Sequence, residues 1–171
     1  LDVWCGSGRL LEFYTKKFEN LPEKYLGVDN SFLIVEEAKK QFPEADFFVS
    51  EMQDFDEKFF EKYGKFDAIV LLASFHHLSD ISLRKTVLQN LKTFLSPHGK
   101  IYMTNWNLRE QEKYKKSEKG VWEFYIKIGE FERYYHGFML DELENLFLEN
   151  NFIIEKKQTT NKTHQKGANT I

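Results

Sequence analysis

The chain has 171 residues, 42% of them hydrophobic and 30% charged, with a net charge of −3 and a pI near 6.0. This is the balance of a soluble globular domain with a sizeable core, and it lacks the basic field of a dedicated nucleic-acid binder. No apolar run approaches the ~20 residues that cross a bilayer and no signal peptide is visible, so no membrane role is expected. The single cysteine, Cys5, excludes an internal disulfide and points to a reducing, cytoplasmic setting.

Apolar runs alternate with helical patterns along the chain. Leu1–Trp4 reads as a short strand entering a glycine turn, and Leu10, Leu11, Tyr14 and Phe18 recur at helical spacing. Tyr25–Val28 is a second strand, followed by a helix over Ser31–Gln41, and Phe47–Val49 is a third strand. Phe66–Ala73 is a continuous apolar run, as expected of a central strand buried on both faces. A helix over Ser82–Leu95 is closed by Ser96-Pro97-His98-Gly99, and Lys100–Asn105 is the fifth strand. Residues 107–135 break the rhythm with mixed charge and aromatics, and read as an insertion or lid over the sheet's carboxyl edge. Asp141–Glu149 is a further helix, Phe152–Glu155 a strand, and Asn161–Ala168 a polar connection to a last strand. The alternation implies an α/β fold, a parallel sheet covered by helices on both sides, in one domain over 1–171. The chain starts inside a strand without an initiator methionine and stops as another begins, so an upstream helix and the rest of a final strand are expected to be missing.

The first chemical signal is Leu1-Asp2-Val3-Trp4-Cys5-Gly6-Ser7-Gly8-Arg9, a strand ending in a Gly-x-Gly turn before a helix. Glycines there allow positive φ and close approach of a ligand to the backbone. Asp29 ends the next strand, where an acid binds ribose hydroxyls in α/β nucleotide folds. The dinucleotide fingerprint needs a third glycine where Leu11 stands, and a phosphate-binding P-loop needs lysine where Arg9 stands. Adenosine binding is the functional reading; a tight turn without a ligand is the plain alternative.

Asp-x-x-Cys-Gly-x-Gly resembles motif I of the class I S-adenosylmethionine (SAM)-dependent methyltransferases. Val28-Asp29, Val49–Asp54, Phe66–Val70 and Leu95–Lys100 resemble four further segments of that family, in order and over nearly the whole chain. The resemblance implies SAM as cofactor and a doubly wound, Rossmann-like, mostly parallel seven-stranded sheet. It implies that Asp2, Gly6 and Gly8 line the methionine and ribose side, and that Asp29 accepts the ribose hydroxyls. Glu51 would take the adenine amino group with Met52 beside the ring, Asp54 being the other candidate, and the Ala73 backbone would lie near the SAM amino group. One position departs: Trp4 stands where the family usually has glycine. It is tolerable only if the side chain points away and the site uses backbone atoms.

Two clusters suit the acceptor side. Ser74-Phe75-His76-His77-Leu78 follows the fourth strand, and either histidine faces the acceptor or caps and packs the next element. Glu132–Phe138 gathers Arg133, Tyr134, Tyr135 and His136, which suit an anionic or planar acceptor, since arginine pairs bidentately with carboxylate or phosphate. His76, Arg133 and Tyr135 are the candidate catalytic residues. Arg-Tyr-Tyr-His-x-Phe, followed by Asp141-Glu142-Leu143-Glu144, resembles the tRNA wobble-uridine carboxymethyl methyltransferases, as does Tyr102–Trp106. That resemblance implies tRNA as partner, a carboxymethyl acceptor already ionised at pH 7, and Arg133 or Arg9 as the cation that places it. It also implies a basic patch from Lys113, Lys115, Lys116, Lys119, Lys156, Lys157, Lys162 and Lys166, and in some members a small zinc-binding activating subunit. The alternatives are a small-molecule methyltransferase with an apolar pocket from the aromatics of 122–135, and a non-catalytic subunit that binds a partner protein. No metal site is expected, since the histidines lack Cys, Asp or Glu at ligand spacing and adjacency would point the rings of His76 and His77 apart on a regular element.

Overall fold

The computed structural model describes residues 1–55, 61–162 and 165–171, the side chains of 161–169 excepted. Its elements in chain order are β1 (Asp2–Val3), α1 (Arg9–Phe18), β2 (Leu26–Asp29), α2 (Phe32–Gln41), β3 (Asp46–Val49), β4 (Phe66–Leu72), α3 (Ile81–Phe94) and β5 (Leu95–Trp106). They continue with β6 (Glu118–Gly120), β7 (Glu123–Ile128), β8 (Phe131–His136), α4 (Leu140–Glu149), β9 (Gln158–Lys162) and β10 (Gln165–Thr170). The chain divides into two compact units, Leu1–Leu72 with Asn90–Ile101, and Ala73–Gln89 with Tyr102–Ile171.

The first unit holds a parallel central sheet of five strands, in the order β3-β2-β1-β4-β5. Asp2 pairs with Gly27 and Val70, so β1 lies between β2 and β4, and Gly27 and Asp29 of β2 pair with Phe47 and Val49 of β3. Parallel pairing brings the carboxyl ends of β1, β2 and β3 to one edge. Cys5, Leu11, Val35, Ala38 and Phe47 form the core under α1 and α2. Gly27 permits this packing: a Cβ there would stand 2.6 Å from the Phe47 ring. The Cys5 thiol is buried in this core and its pKa is pushed up by desolvation, with Asp2 and Asp29 adding to it.

Burial of β4 departs from the sequence expectation. Ile69 and Leu71 are fully buried, whereas Ala68 and Leu72 are exposed, so one face is covered rather than both. Ala73 lies beyond the strand, at φ 54. Ser96–Gly99, expected as a turn, is already part of β5.

In the second unit the carboxyl half of β5 pairs antiparallel with β10, Ala168 opposite Trp106, and β10 pairs antiparallel with β9. Residues 107–135, expected as an insertion or lid, carry regular structure of their own. After a 3-10 turn (Glu112–Ser117) they form most of a three-stranded antiparallel sheet, β6-β7-β8. Alternation along β7 and β8 puts Phe124 opposite Tyr135, and both join Leu108 in a small core.

Phe152–Glu155 is not a strand. The Phe152 N–H donates to the Phe147 carbonyl at 3.1 Å, and its ring lies 5.2 Å from the Phe147 ring, so the segment finishes α4, with Ile153 exposed. Most of Asn161–Ala168, expected as a polar connection, belongs to β9 and β10 instead. Side-chain alternation cannot announce strands whose residues are uniformly polar. Among the described residues no helix is long and apolar enough to cross a membrane, and no group of three His, Cys, Asp or Glu could hold a metal ion.

Candidate functional site

In the first unit the chain leaves β1 through a sharp turn in which Trp4 (φ 58), Gly6 (φ 55) and Gly8 (φ 85) are left-handed. This conformation is strained for any side chain, by about 1–2 kcal/mol, and is the physical reason for glycine in the Trp4 position. The turn is held by Cys5 N–H to Val28 O (3.0 Å) and Gly8 N–H to Cys5 O (3.1 Å). The carbonyl of Gly8 then accepts the Glu12 N–H at 2.9 Å, which starts α1.

Asp29, at the end of β2, locks the turn. Its Oδ2 accepts the Gly6 N–H and its Oδ1 the Ser31 N–H, each at 3.0 Å. The carboxylate is 7% exposed. An ionised carboxylate offers about four acceptor positions, so two remain for hydroxyl donors. Glu51 follows β3, and Asn30 Nδ2 donates to its Oε1 at 3.1 Å. The sequence reading missed Asn30; its only signal is its place directly after Asp29. A Cβ on Gly6 would meet nothing within 4 Å, so space stands open beside the turn. Open backbone flanked by two carboxylates fits SAM, whose ribose hydroxyls and adenine amino group are donors.

Two expected cofactor residues sit differently from Asp29. Asp2 is 2% exposed, and its Oδ2 accepts the Tyr25 hydroxyl at 2.8 Å. Burial raises its pKa from 3.8 to about 6, against the lowering effect of the Tyr25 hydrogen bond. The Met52 side chain is wholly buried, in a 3-10 turn (Met52–Asp54), while Asp54 is exposed.

The second unit gathers the other candidates. Ala73 donates its N–H to Thr104 O (2.9 Å) and Oγ1 (3.1 Å), and its left-handed φ turns the chain into a 3-10 turn over Phe75–His77. That turn brings the rings of His76 and His77 within 4.5 Å of each other, not apart, because the pair does not lie on a regular element. His76 is fully buried and accepts the Trp106 N–H on Nδ1 at 3.2 Å. His77 Nδ1 donates to the Tyr134 carbonyl at 2.9 Å. Burial holds His76 well below the usual imidazole range, with His77 and Arg133 adding to it. Burial likewise takes His77 down to about 4, outweighing the Tyr134 hydrogen bond.

Tyr135, 2% exposed, lies 5.2 Å from the His76 ring and 4.4 Å from the His77 ring, and stacks on Trp106 at 5.4 Å. Burial raises its pKa while Arg133 opposes the rise. Arg133 thus acts electrostatically on all three rings, and alternation along β8 places it on the Tyr135 face. Arg84, unnoticed in the sequence, is 5% exposed. It donates to Leu78 O (2.9 Å), Ser79 O (3.2 Å) and Tyr134 Oη (3.4 Å) and lies over Phe138. Its signal is a cation on the apolar stripe of α3, in helical register with Val87, Leu88 and Leu91.

The family model described as a methyltransferase domain matches residues 1–99, more than half of the chain. No curated protein sequence matches. Among solved structures, an S-adenosylmethionine-dependent methyltransferase from Clostridium acetobutylicum superposes with a TM-score of 0.76 at 15% identity, over 99% of this chain and 80% of its own. A SAM-dependent methyltransferase from Methanosarcina mazei gives 0.73 at 18%, over 99% and 86%. A SAM-bound amino pentose methyltransferase from Micromonospora echinaspora, involved in calicheamicin biosynthesis, gives 0.68 at 15%, over 99% and 80%. At these identities the likeness is one of fold, and it agrees with the strand–turn–helix and the paired carboxylates. The chain belongs to the methyltransferase-domain family, as a SAM-dependent methyltransferase with the Rossmann-like class I fold.

Proposed function

We propose that the chain methylates a carboxylate, and that its acceptor is the carboxymethyl group of a tRNA wobble uridine, converted to the methyl ester. The observation that carries the anionic acceptor is the place of Arg133 on β8, two residues before Tyr135 and on the same strand face, where Tyr135 packs against the rings of His76 and His77. SAM supplies a methyl group already activated on a sulfonium, so the protein's task is to orient the acceptor and exclude water. Asp29 would hold the ribose hydroxyls, Glu51 the adenine amino group, and the backbone of Gly6 and Gly8 the amino-acid end. Arg133 would fix the carboxylate by a charge-assisted pair. A carboxylate needs no base, which suits a cluster whose imidazoles lie below the neutral range and whose Tyr135 phenol is raised.

The expected basic surface is partly paired. Lys115 meets Glu112 at 2.5 Å and Lys119 meets Glu132 at 3.0 Å, while Lys157 bonds Glu144. Exposed pairs of this kind are weak and yield readily to phosphate. Lys162 and Lys166 have side chains outside the described residues. A second reading is a small planar or sugar-like acceptor. The stack of Trp106 on Tyr135 supports it, as does the fold shared with the amino pentose methyltransferase.

The test uses methyl-labelled SAM, the complete protein with any activating subunit it requires, and total tRNA from cells lacking the activity. Label that enters tRNA and is released by mild alkali is the expected result. Label stable to alkali would overturn the carboxylate mechanism, and SAM binding without label on tRNA would favour the second reading.

A further inference from the structure

His76 carries an asymmetry that the acceptor reading does not use. A backbone N–H can only donate, so the Trp106 N–H places a lone pair on His76 Nδ1, and the neutral ring keeps its proton on Nε2. That Nε2 is buried with no hydrogen-bond partner. The same holds for both ends of the Asn105 side-chain amide, also 0% exposed, and this amide interacts with His76. Three orphaned polar atoms at adjoining buried positions are costly, and a native protein rarely leaves them so.

A modest turn of the Asn105 amide would let its Oδ1 accept the His76 Nε2–H and satisfy two of the three atoms. The groups around the ring agree with a neutral imidazole. His77 stands beside it in the turn, Arg133 and His136 act on it from β8, Trp106 and Tyr135 flank it, and none of these is an acid. His77 has the opposite tautomer, since the Tyr134 carbonyl can only accept and therefore requires Nδ1–H.

We infer that His76 is not the base of this cluster but a neutral ring with its proton fixed on Nε2, and that Asn105 is the positioning residue that holds it. The inference rests on the proposed reading of this cluster as the acceptor side, and it suits an acceptor such as a carboxylate, which asks no base of His76.

The experiment is ¹⁵N NMR of the histidine rings in the full chain, with His76 assigned by comparison with His76→Gln. The expected spectrum has an unprotonated Nδ1 and a protonated Nε2, unchanged from about pH 5.5 to 8.5, with a cross-peak from the Nε2 proton to the Asn105 amide. Asn105→Asp places a carboxylate at the ring and is expected to raise the His76 midpoint by about 1–3 pH units. A proton on Nδ1, or titration near the ordinary value of about 6.5, would overturn the tautomer. A missing cross-peak, or an unmoved midpoint in folded Asn105→Asp, would overturn the role of Asn105. The native-chain measurements decide both points even where that variant does not fold. None of these readouts needs a methyl acceptor, so a negative tRNA assay leaves them standing, and the wrong tautomer leaves the tRNA assay standing.

Discussion

Asp29 commits one carboxylate oxygen to the Gly6 N–H and the other to the Ser31 N–H. An asparagine has one oxygen, and its NH₂ group would face the second N–H. Asp29→Asn is therefore expected to destabilise the chain by about 1–3 kcal/mol. SAM affinity should fall at least about tenfold, equivalent to about 1.4 kcal/mol. Chemical denaturation and calorimetric titration measure the two losses. Asp2 behaves in the opposite sense. Its folded pKa, about 6, lies above the unfolded 3.8, so the stability linked to its protonated form is fully present below about pH 4 and lost as pH rises through about 6. Asp2→Asn keeps an acceptor for the Tyr25 hydroxyl and removes the charge. It should stabilise the chain at pH 8, by about 3 kcal/mol at most, and have little effect at pH 4. Denaturation at the two pH values distinguishes this from a uniform change. The sequence exposed Asp29 because a strand-end acid after a glycine turn is a spaced motif. It could not expose Arg84, Asn30 or Asn105, whose roles depend on hydrogen-bond partners 5 to 50 residues away or on the burial of a single amide.

At the level of elements, glycine positions separate binding from folding. Gly6→Ala adds a methyl group to open space at a left-handed residue, so it should cost about 1–2 kcal/mol of strain and weaken SAM binding further by filling that space. Gly27→Ala drives a Cβ into the Phe47 ring and should destabilise more than Gly6→Ala. Thermal melts with and without SAM separate the two effects. In the second unit, His136 Nε2 meets Glu142 Oε1 at 2.6 Å, and the Met139 N–H reaches Glu142 Oε2 at the start of α4. Burial would raise the Glu142 pKa, but His136, the Met139 N–H and Arg84 together outweigh it and the net shift is downward. A carboxylate lowered in this way contributes stability above its unfolded pKa and loses it as pH falls through the folded value. Acid titration followed by circular dichroism should show that loss, and Glu142→Gln should abolish it. Helices α1 to α4 were readable because apolar spacing of 3.6 residues reports a buried stripe. β9 and β10 were not, since Gln158–Lys162 and Gln165–Thr170 carry almost no apolar side chain and are strands through backbone pairing alone.

For the molecule as a whole, five spaced segments announced a parallel α/β sheet and a cofactor edge, because glycine turns and strand-end acids are local. The acceptor side was legible only as a cluster of residue types. Its tautomers and stacking arise from residues far apart in sequence, such as His77 with Tyr134 and Trp106 with Tyr135. A ligand that binds only the folded state should protect it. S-adenosylhomocysteine at about 100 times its Kd should add about 2.7 kcal/mol of stability, read as a rise in melting temperature that Asp29→Asn diminishes.

Cys5 is the chain's one cysteine, 6% exposed, with its thiol kept protonated by burial. Thiolates, not thiols, react with maleimides and haloacetamides. The native chain is thus nearly silent to such reagents, and a cysteine introduced at an exposed position, such as Phe131 or Ile153, would be its one reactive handle. Fluorophores or spin labels could be attached there without first replacing Cys5, which would otherwise disturb the turn beside the cofactor edge.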